Sequence, residues 1–152
     1  MIRPGRPGDL DEIRALSDAY RAELDAAGKP YPDARAGSEA WTSWLRRRLS
    51  AGDVRVGVEG RQITSYIVWE LRRRDPGQRV LVITDLYVLP SERGNRRGGG
   101  LLARALDRAR ADSLTSVEAH AGLDDDAARK LLASFGFVTD ANGAMARRLS
   151  DV

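Results

Sequence analysis

ITDLYVLPSERGNRRGGGLL, residues 83–102, joins a strand, a loop and a helix start within twenty positions. The strand is Val80 to Leu89, an almost continuous apolar run rich in β-branched residues, as expected of a central strand buried on both faces. Pro90 stops it, an Arg/Gly loop follows, and a helix begins near Gly98 to Gly100. Leu101, Leu102, Ala105, Leu106 and Ala109 mark its buried stripe. Glycines here let the backbone approach a ligand, with several N–H groups aimed at one spot. The helix N-terminus adds partial positive charge, and Arg93, Arg96 and Arg97 add full charges. Such a site suits a pyrophosphate. The helix dipole contributes only about 0.3–1 kcal/mol, so aligned N–H donors must carry much of the grip. A P-loop would need Lys-Ser/Thr after its last glycine, and Leu101 stands there. A dinucleotide fingerprint would want an acidic residue about 20 positions on; Glu118 is near that distance, but the upstream hairpin does not fit a doubly wound fold.

Working outward, the chain reads as one unit over residues 1–152, without repeats or a domain-separating linker. Leu10, Ile13, Leu16, Ala19, Tyr20 and Leu24 form a helical stripe entered through Gly8-Asp9. Asp25 to Gly37 reads as an irregular loop. Ser38 caps a second helix carrying Trp41, Trp44, Leu45 and Leu49, closed by Gly52. The period then changes to two: Val54, Val56 and Val58 alternate with other residues, Glu59-Gly60-Arg61 turns, and Ile63 to Leu71 runs back. Asp75-Pro76-Gly77-Gln78 is a second turn. Downstream, Thr115 to Ala121 reads as a strand, Asp125 to Phe135 as a helix, and Phe137 to Leu149 as a hairpin around Asn142-Gly143. The order ααβββαβαββ implies a mixed α/β (α+β) sheet.

Composition narrows the chemistry. Among 152 residues there is no Cys and one His, which excludes a disulfide framework, a thiol nucleophile, a Cys-based zinc site and a multi-His metal site. Basic residues exceed acidic ones by 25 to 22, and all basic residues but Lys29 and Lys130 are arginines. Arg46 to Arg48, Arg72 to Arg74 and Arg96-Arg97 form three runs, of which only the third lies among glycines. No apolar stretch reaches signal-peptide or membrane-spanning length, so a cytoplasmic protein without membrane association is expected.

Two spaced motifs and the element order resemble the GNAT superfamily of N-acetyltransferases. The family's signature is Arg or Gln, two residues, Gly, one residue, then Gly or Ala; here it reads Arg93-Gly94-Asn95-Arg96-Arg97-Gly98, preceded by Asp85-Leu86-Tyr87-Val88-x-Pro90. The second motif, Asn-x-x-Ala-x-x-x-Tyr-x-x-x-Gly-Phe, is matched by Asp125, Ala128, Leu132, Gly136 and Phe137. The resemblance covers nearly the whole chain and implies acetyl-CoA as cofactor, no metal, a primary amine of a small molecule or peptide as acceptor, and a mostly antiparallel sheet with a parallel pair splayed at strands four and five. It implies that Leu86, Tyr87 and Val88 meet the pantetheine arm and acetyl carbonyl through their backbone. The loop Arg93, Gly94, Asn95, Arg96, Arg97, Gly98 and Gly99 would hold the pyrophosphate, with Asp125 near the cofactor's arm. GNAT relatives frequently dimerise, so a homodimer is compatible with it.

The departures from the pattern bear on catalysis. Arg96 replaces a motif glycine, Asp125 replaces Asn, and Leu132 stands where many relatives carry a tyrosine that protonates the leaving thiolate. A thiol with pKa about 8.5 leaves as an anion at roughly 2 kcal/mol from balance at pH 7, whereas deprotonating an alkylammonium of pKa about 10.4 costs some 4–5 kcal/mol. Base catalysis is therefore the larger demand. Relatives often place a Glu on the fourth strand; the positions of like parity here are Val82 and Thr84, and strict alternation turns Asp85 to the other face. Glu118 and His120 share one strand face, and an imidazole suits acid/base work near neutral pH. His120, Glu118 and Asp85 are thus the catalytic candidates. Tyr31 is the substrate-contact candidate, with Trp41, Trp44 and Trp69 as further wall residues, although helical spacing makes Trp41 and Trp44 better core residues. Two other readings stand beside this one: a non-catalytic acyl-CoA-binding module, and a relative docking RNA or a ribonucleoprotein through Arg46 to Arg48 and Arg72 to Arg74. On the weak net charge, a nucleic-acid partner is not expected.

Overall fold

The computed structural model describes residues 1–30, 37–74, 77–94, 96–120, 126–140 and 143–149. Its elements are β1 (Ile2–Pro4), α1 (Leu10–Ala26), α2 (Glu39–Ala51), β2 (Val54–Glu59), β3 (Gln62–Arg74), β4 (Gln78–Val88), α3 (Arg97–Ala111), β5 (Ser116–Ala119), α4 (Asp126–Ser134), β6 (Val138–Thr139) and β7 (Met145–Arg148). Short 3-10 turns at Pro7–Asp9 and Pro90–Glu92 precede α1 and follow β4. The strands form one sheet in the order β1-β2-β3-β4-β5-β7-β6, antiparallel throughout except for the parallel β4–β5 pair.

Relative to the sequence reading, one element is added at the front. β1 is three residues long and pairs Ile2 with Gly57, so its partner lies far downstream. Asp9 fixes this entry: it accepts from Arg3 Nη1 at 2.8 Å, from Arg3 Nη2 at 3.0 Å and from the Arg6 backbone N–H at 2.7 Å. Both ends of α2 follow the expected chemistry. Ser38 Oγ accepts from the Trp41 N–H at 3.2 Å, and Gly52 closes the helix at φ 78°.

The sheet separates two apolar layers. On one face, Ile13 and Leu16 of α1 and Trp41, Trp44, Leu45 and Leu49 of α2 cover Val54, Val56, Tyr66 and Val68. On the other, Leu101, Leu102, Ala105 and Leu106 of α3 and Leu132 of α4 cover Ile67, Trp69, Leu81, Ile83 and Val117. The even apolar character of the Val80 to Leu89 run follows from this arrangement, since β4 is buried from both sides. Trp41, Trp44 and Trp69 are all core residues, at 1%, 5% and 0% exposure.

Asp85 requires a correction. Val82 pairs with Glu70, whereas Asp85 pairs with Val68 across a bulge that leaves Thr84 as the extra residue. Paired residues share a sheet face, and the bulge resets the alternation by one. Asp85 therefore lies on the α1/α2 face together with Val82, where strict period-two counting sets it opposite.

Candidate active site

β4 and β5 run in register from Val80/Ser116 to Ile83/Ala119. The His120 N–H donates to the Ile83 carbonyl at 2.9 Å, and among the described residues no strand pairs with β4 on that side beyond this point. The sheet thus opens along Thr84 to Val88. A cleft of about 320 Å³ lies beside the opening. Leu86, Tyr87 and Val88 form one wall, Glu92, Arg93, Gly94, Arg96 and Arg97 a second, Gly98 and Gly99 its end, and Tyr20, Ala127, Ala128 and Leu131 the rest.

The end of the cleft is the start of α3. Arg97, Gly98 and Gly99 occupy its first turn, where N–H groups have no intrahelical acceptor. A Cβ on Gly98 would press on Leu131, 3.0 Å from its Cδ2 and 3.8 Å from Val88 Cγ2, whereas one on Gly99 would make ordinary contact at 3.4 Å from the Phe135 ring. Several open amides, a positive helix end and nearby guanidinium groups form a cradle whose chemistry fits a diphosphate.

The loop is braced by long-range ion pairs. Arg93 Nε donates to the Val88 carbonyl at 2.9 Å, while its Nη2 donates to both Glu23 oxygens at 2.9 and 3.0 Å. Its guanidinium also lies 5.6 Å from the centre of the Tyr87 ring, which packs on Tyr20. The Tyr87 hydroxyl donates to Glu23. Burial, reinforced by that carboxylate, pushes the Tyr87 hydroxyl well above its ordinary pKa, so its proton is committed to Glu23. Arg97 is held by Glu92, at 3.1 Å, and by Glu59.

Across the opening, Glu118 and His120 stand on the α1/α2 face of β5. Glu118 Oε2 is shared by Arg74 Nη2 at 2.8 Å and His120 Nε2 at 3.3 Å. The Arg74 hydrogen bond, opposed by partial burial, holds the Glu118 carboxyl below the usual carboxylate range. Asp85 is buried at 4% exposure. Leu132 is a core residue at 1% exposure, so its position offers no hydroxyl, and Leu131 meets the cleft instead. Tyr31, Asn95 and Asp125 lie outside the described residues. No group of three or more His, Asp or Glu side chains among the described residues is disposed to hold a metal ion, and no helix among them is long and apolar enough to cross a membrane.

Sequence reasoning therefore listed most of the cleft, but it missed Tyr20, Glu23, Glu59, Glu92 and Arg74. Of the other cleft residues, Tyr20 falls in the helical stripe of α1 and Ala128 in the second motif, whereas Ala127 and Leu131 were not singled out. The second arginine run is not a free basic patch, because Arg72 pairs with Glu70 and Arg74 with Glu118.

A seven-stranded mixed sheet opened at its one parallel pair, with an amide-rich helix start at the opening, defines a family. Residues 15–137 match the acetyltransferase (GNAT) family model, and the chain belongs to that family of acetyltransferases. Phosphinothricin N-acetyltransferase of Streptomyces coelicolor is 26% identical over 136 residues, covering 87% of this chain and 80% of the relative. Among solved structures, a GCN5-related N-acetyltransferase from Ralstonia eutropha superposes with a TM-score of 0.76 at 22% identity, over 100% of this chain and 97% of the other. A Salmonella typhimurium protein solved with its cofactor acetyl-CoA gives a TM-score of 0.76 at 21% identity, over 100% and 95%.

Proposed function

We propose that this protein is an N-acetyltransferase that moves the acetyl group of acetyl-CoA to the primary amine of a small molecule. The observation that carries the reading is the convergence of the unpaired β4 edge with the open amides of α3 in one cleft. The donor supplies an activated thioester. Amides from Gly94 to Gly99 grip its diphosphate, and the backbone of Leu86 to Val88 lies along its pantetheine arm and hydrogen-bonds the carbonyl oxygen as negative charge develops there. His120, directly or through a water, takes the proton of the attacking amine. Glu118, pinned by Arg74, orients the imidazole and stays anionic. Asp85, turned to the same sheet face by the bulge, is the second candidate for proton work. With Leu132 in the core and the Tyr87 proton held by Glu23, the departing thiolate is protonated by water. The Streptomyces relative's name denotes N-acetylation of a small molecule, which favours that class of acceptor over a peptide.

Calorimetry with acetyl-CoA, followed by thiol release across a panel of amines, tests the reading. Binding with acceptor-dependent thiol release is expected. Binding without release for any amine would favour the non-catalytic acyl-CoA module, which the aliphatic Leu132 recommends. No binding at all would refute both.

A further inference from the structure

β3 outruns the strand beside it. β2 starts at Val54, opposite Val68, while β3 continues to Arg74 paired with β4 alone. The Trp69 N–H donates to the Asp53 carbonyl at 3.1 Å, the last backbone hydrogen bond on the β2 side among the described residues. Alternation sends the backbone N–H and C=O groups of Leu71 and Arg73 the same way, into the open. The Arg79 carbonyl fixes the phase: it accepts from the Thr115 N–H, just before β5, so Arg79 and its cross-strand partner Arg73 are a non-hydrogen-bonded pair.

The side chains at this edge are as unmatched as its backbone. Leu71 is 38% exposed. Arg73 and Arg79 stand opposite each other on the sheet face that α3 covers, and neither makes a hydrogen bond or ion pair among the described residues. Their neighbours Arg72 and Arg74, on the other face, are tied to Glu70 and Glu118. Further along the α3 face, the Arg55 guanidinium lies 5.0 Å from the centre of the Trp69 ring, and burial, together with Arg108 and Arg104, lowers its pKa. Arginines can guard an exposed edge against strand pairing. Guarding does not call for two of them directly opposite, an arrangement that destabilises a hairpin.

We propose that the β3 edge at Leu71 and Arg73 is a docking site for an extended acidic segment of another protein, added to the sheet as a short strand in line with β2. Two alternate residues of the segment exchange backbone hydrogen bonds with Leu71 and Arg73. Their side chains fall on the α3 face, an apolar one against Leu71 and a carboxylate between Arg73 and Arg79, where it relieves the repulsion of the two cations. A second copy of this chain is a poor occupant, because pairing β3 with β3 sets Arg72, Arg73 and Arg74 against themselves. A nucleic acid would meet the cations and leave the open strand amides unused. The edge lies at the opposite end of β4 from Thr84 to Val88, so it is tested apart from the acetyl-CoA reading.

The test is amide NMR on the whole protein with the peptide Ac-Ser-Glu-Thr-Val-Thr-Glu-Ser-NH2, whose Glu and Val side chains share one face. Its controls are the same peptide with Lys for Glu, the same peptide N-methylated at Val and both Glu, and an oligouridylate. The acidic peptide is expected to move the Leu71 and Arg73 amide resonances saturably, and the lysine and N-methylated peptides to leave them in place. Arg73→Gln and Arg79→Glu should weaken binding roughly five- to tenfold at low salt, a gap that narrows as salt screens it. Arg79→Glu replaces a like-charged pair by an opposite one and should melt no lower than wild type, so its loss of binding is not a loss of fold. No response to the acidic peptide at low salt would overturn the proposal and leave the arginines as edge guards. Equal binding of the N-methylated peptide would overturn it too, since charge alone would then suffice. So would the oligouridylate moving the same resonances at lower concentration, or a dimer in sedimentation that buries the Leu71 and Arg73 amides.

Discussion

Replacing Arg74 by Gln tests whether the three side chains spanning β3 and β5 act as one device. Arg74 and His120 contact the same Glu118 oxygen at 2.8 and 3.3 Å. Removing Arg74 takes from Glu118 the guanidinium that fixes its carboxylate beside the imidazole. If Glu118 positions His120, kcat/KM falls by roughly two- to fivefold, the rate equivalent of the about 0.5–1 kcal/mol that such a partly exposed pair contributes. Stability gives a second measurement. Glu118 titrates below its unfolded value, so the pair's contribution is complete above the ordinary carboxylate range and disappears as pH falls through the folded-state value. With Arg74 at 40% and Glu118 at 23% side-chain exposure, solvent screening limits that contribution to about 0.5–1 kcal/mol. Arg74→Gln should lower the melting temperature by about 1–4 °C at pH 7 and by progressively less as the pH falls through the folded-state value of Glu118. Unchanged kcat/KM together with an unchanged melting temperature at pH 7 in Arg74→Gln would refute the coupling, whatever His120→Ala does to turnover.

Three further outcomes are expected. Gly98→Val adds branches beyond a Cβ already 3.0 Å from Leu131 Cδ2; overpacking should cost about 1–3 kcal/mol in denaturant titrations, and calorimetry should show acetyl-CoA affinity reduced by roughly tenfold or more. Tyr87→Phe removes a hydroxyl whose proton is committed to Glu23. A general acid contributes about 10²–10⁴-fold, so a loss in kcat below about tenfold, with the alkaline limb of the pH profile intact, is the expected result, and a hundredfold loss would make Tyr87 a proton donor instead. Asp9→Asn breaks the charge-assisted pair with Arg3 and should cost about 1–3 kcal/mol at pH 7 by urea unfolding. Because Arg3 holds the Asp9 carboxyl below its ordinary value, that difference should shrink as the pH is lowered through the folded-state value.

What could be read from the chain divides along the physics of the site. The proposed phosphate site is built of backbone amides, which depend on side chains only through where glycine is needed. The strand, Pro90, the loop and the helix start are contiguous, so the whole cradle is written within twenty residues. The core was legible for a related reason: the spacing of Trp41, Trp44 and Leu45 on one helix face and the apolar run of β4 are local patterns of period 3.6 and of burial on both faces. β1 escaped because three residues carry no period, and its existence depends on Val56 and Gly57 far downstream. The orientation of Asp85 escaped because a bulge is a property of the β3–β4 register, and alternation along β4 alone cannot reveal it. The groups proposed to handle protons, and those that brace the loop, are the extreme case. Arg74 meets Glu118 across 44 positions and Glu23 meets Arg93 across 70, so each carboxylate acquires its partner only after folding. On the proposed reading the donor is gripped by the main chain and protons are moved by side chains gathered from several strands, so the cofactor class shows in the sequence while the chemistry waits on tertiary structure.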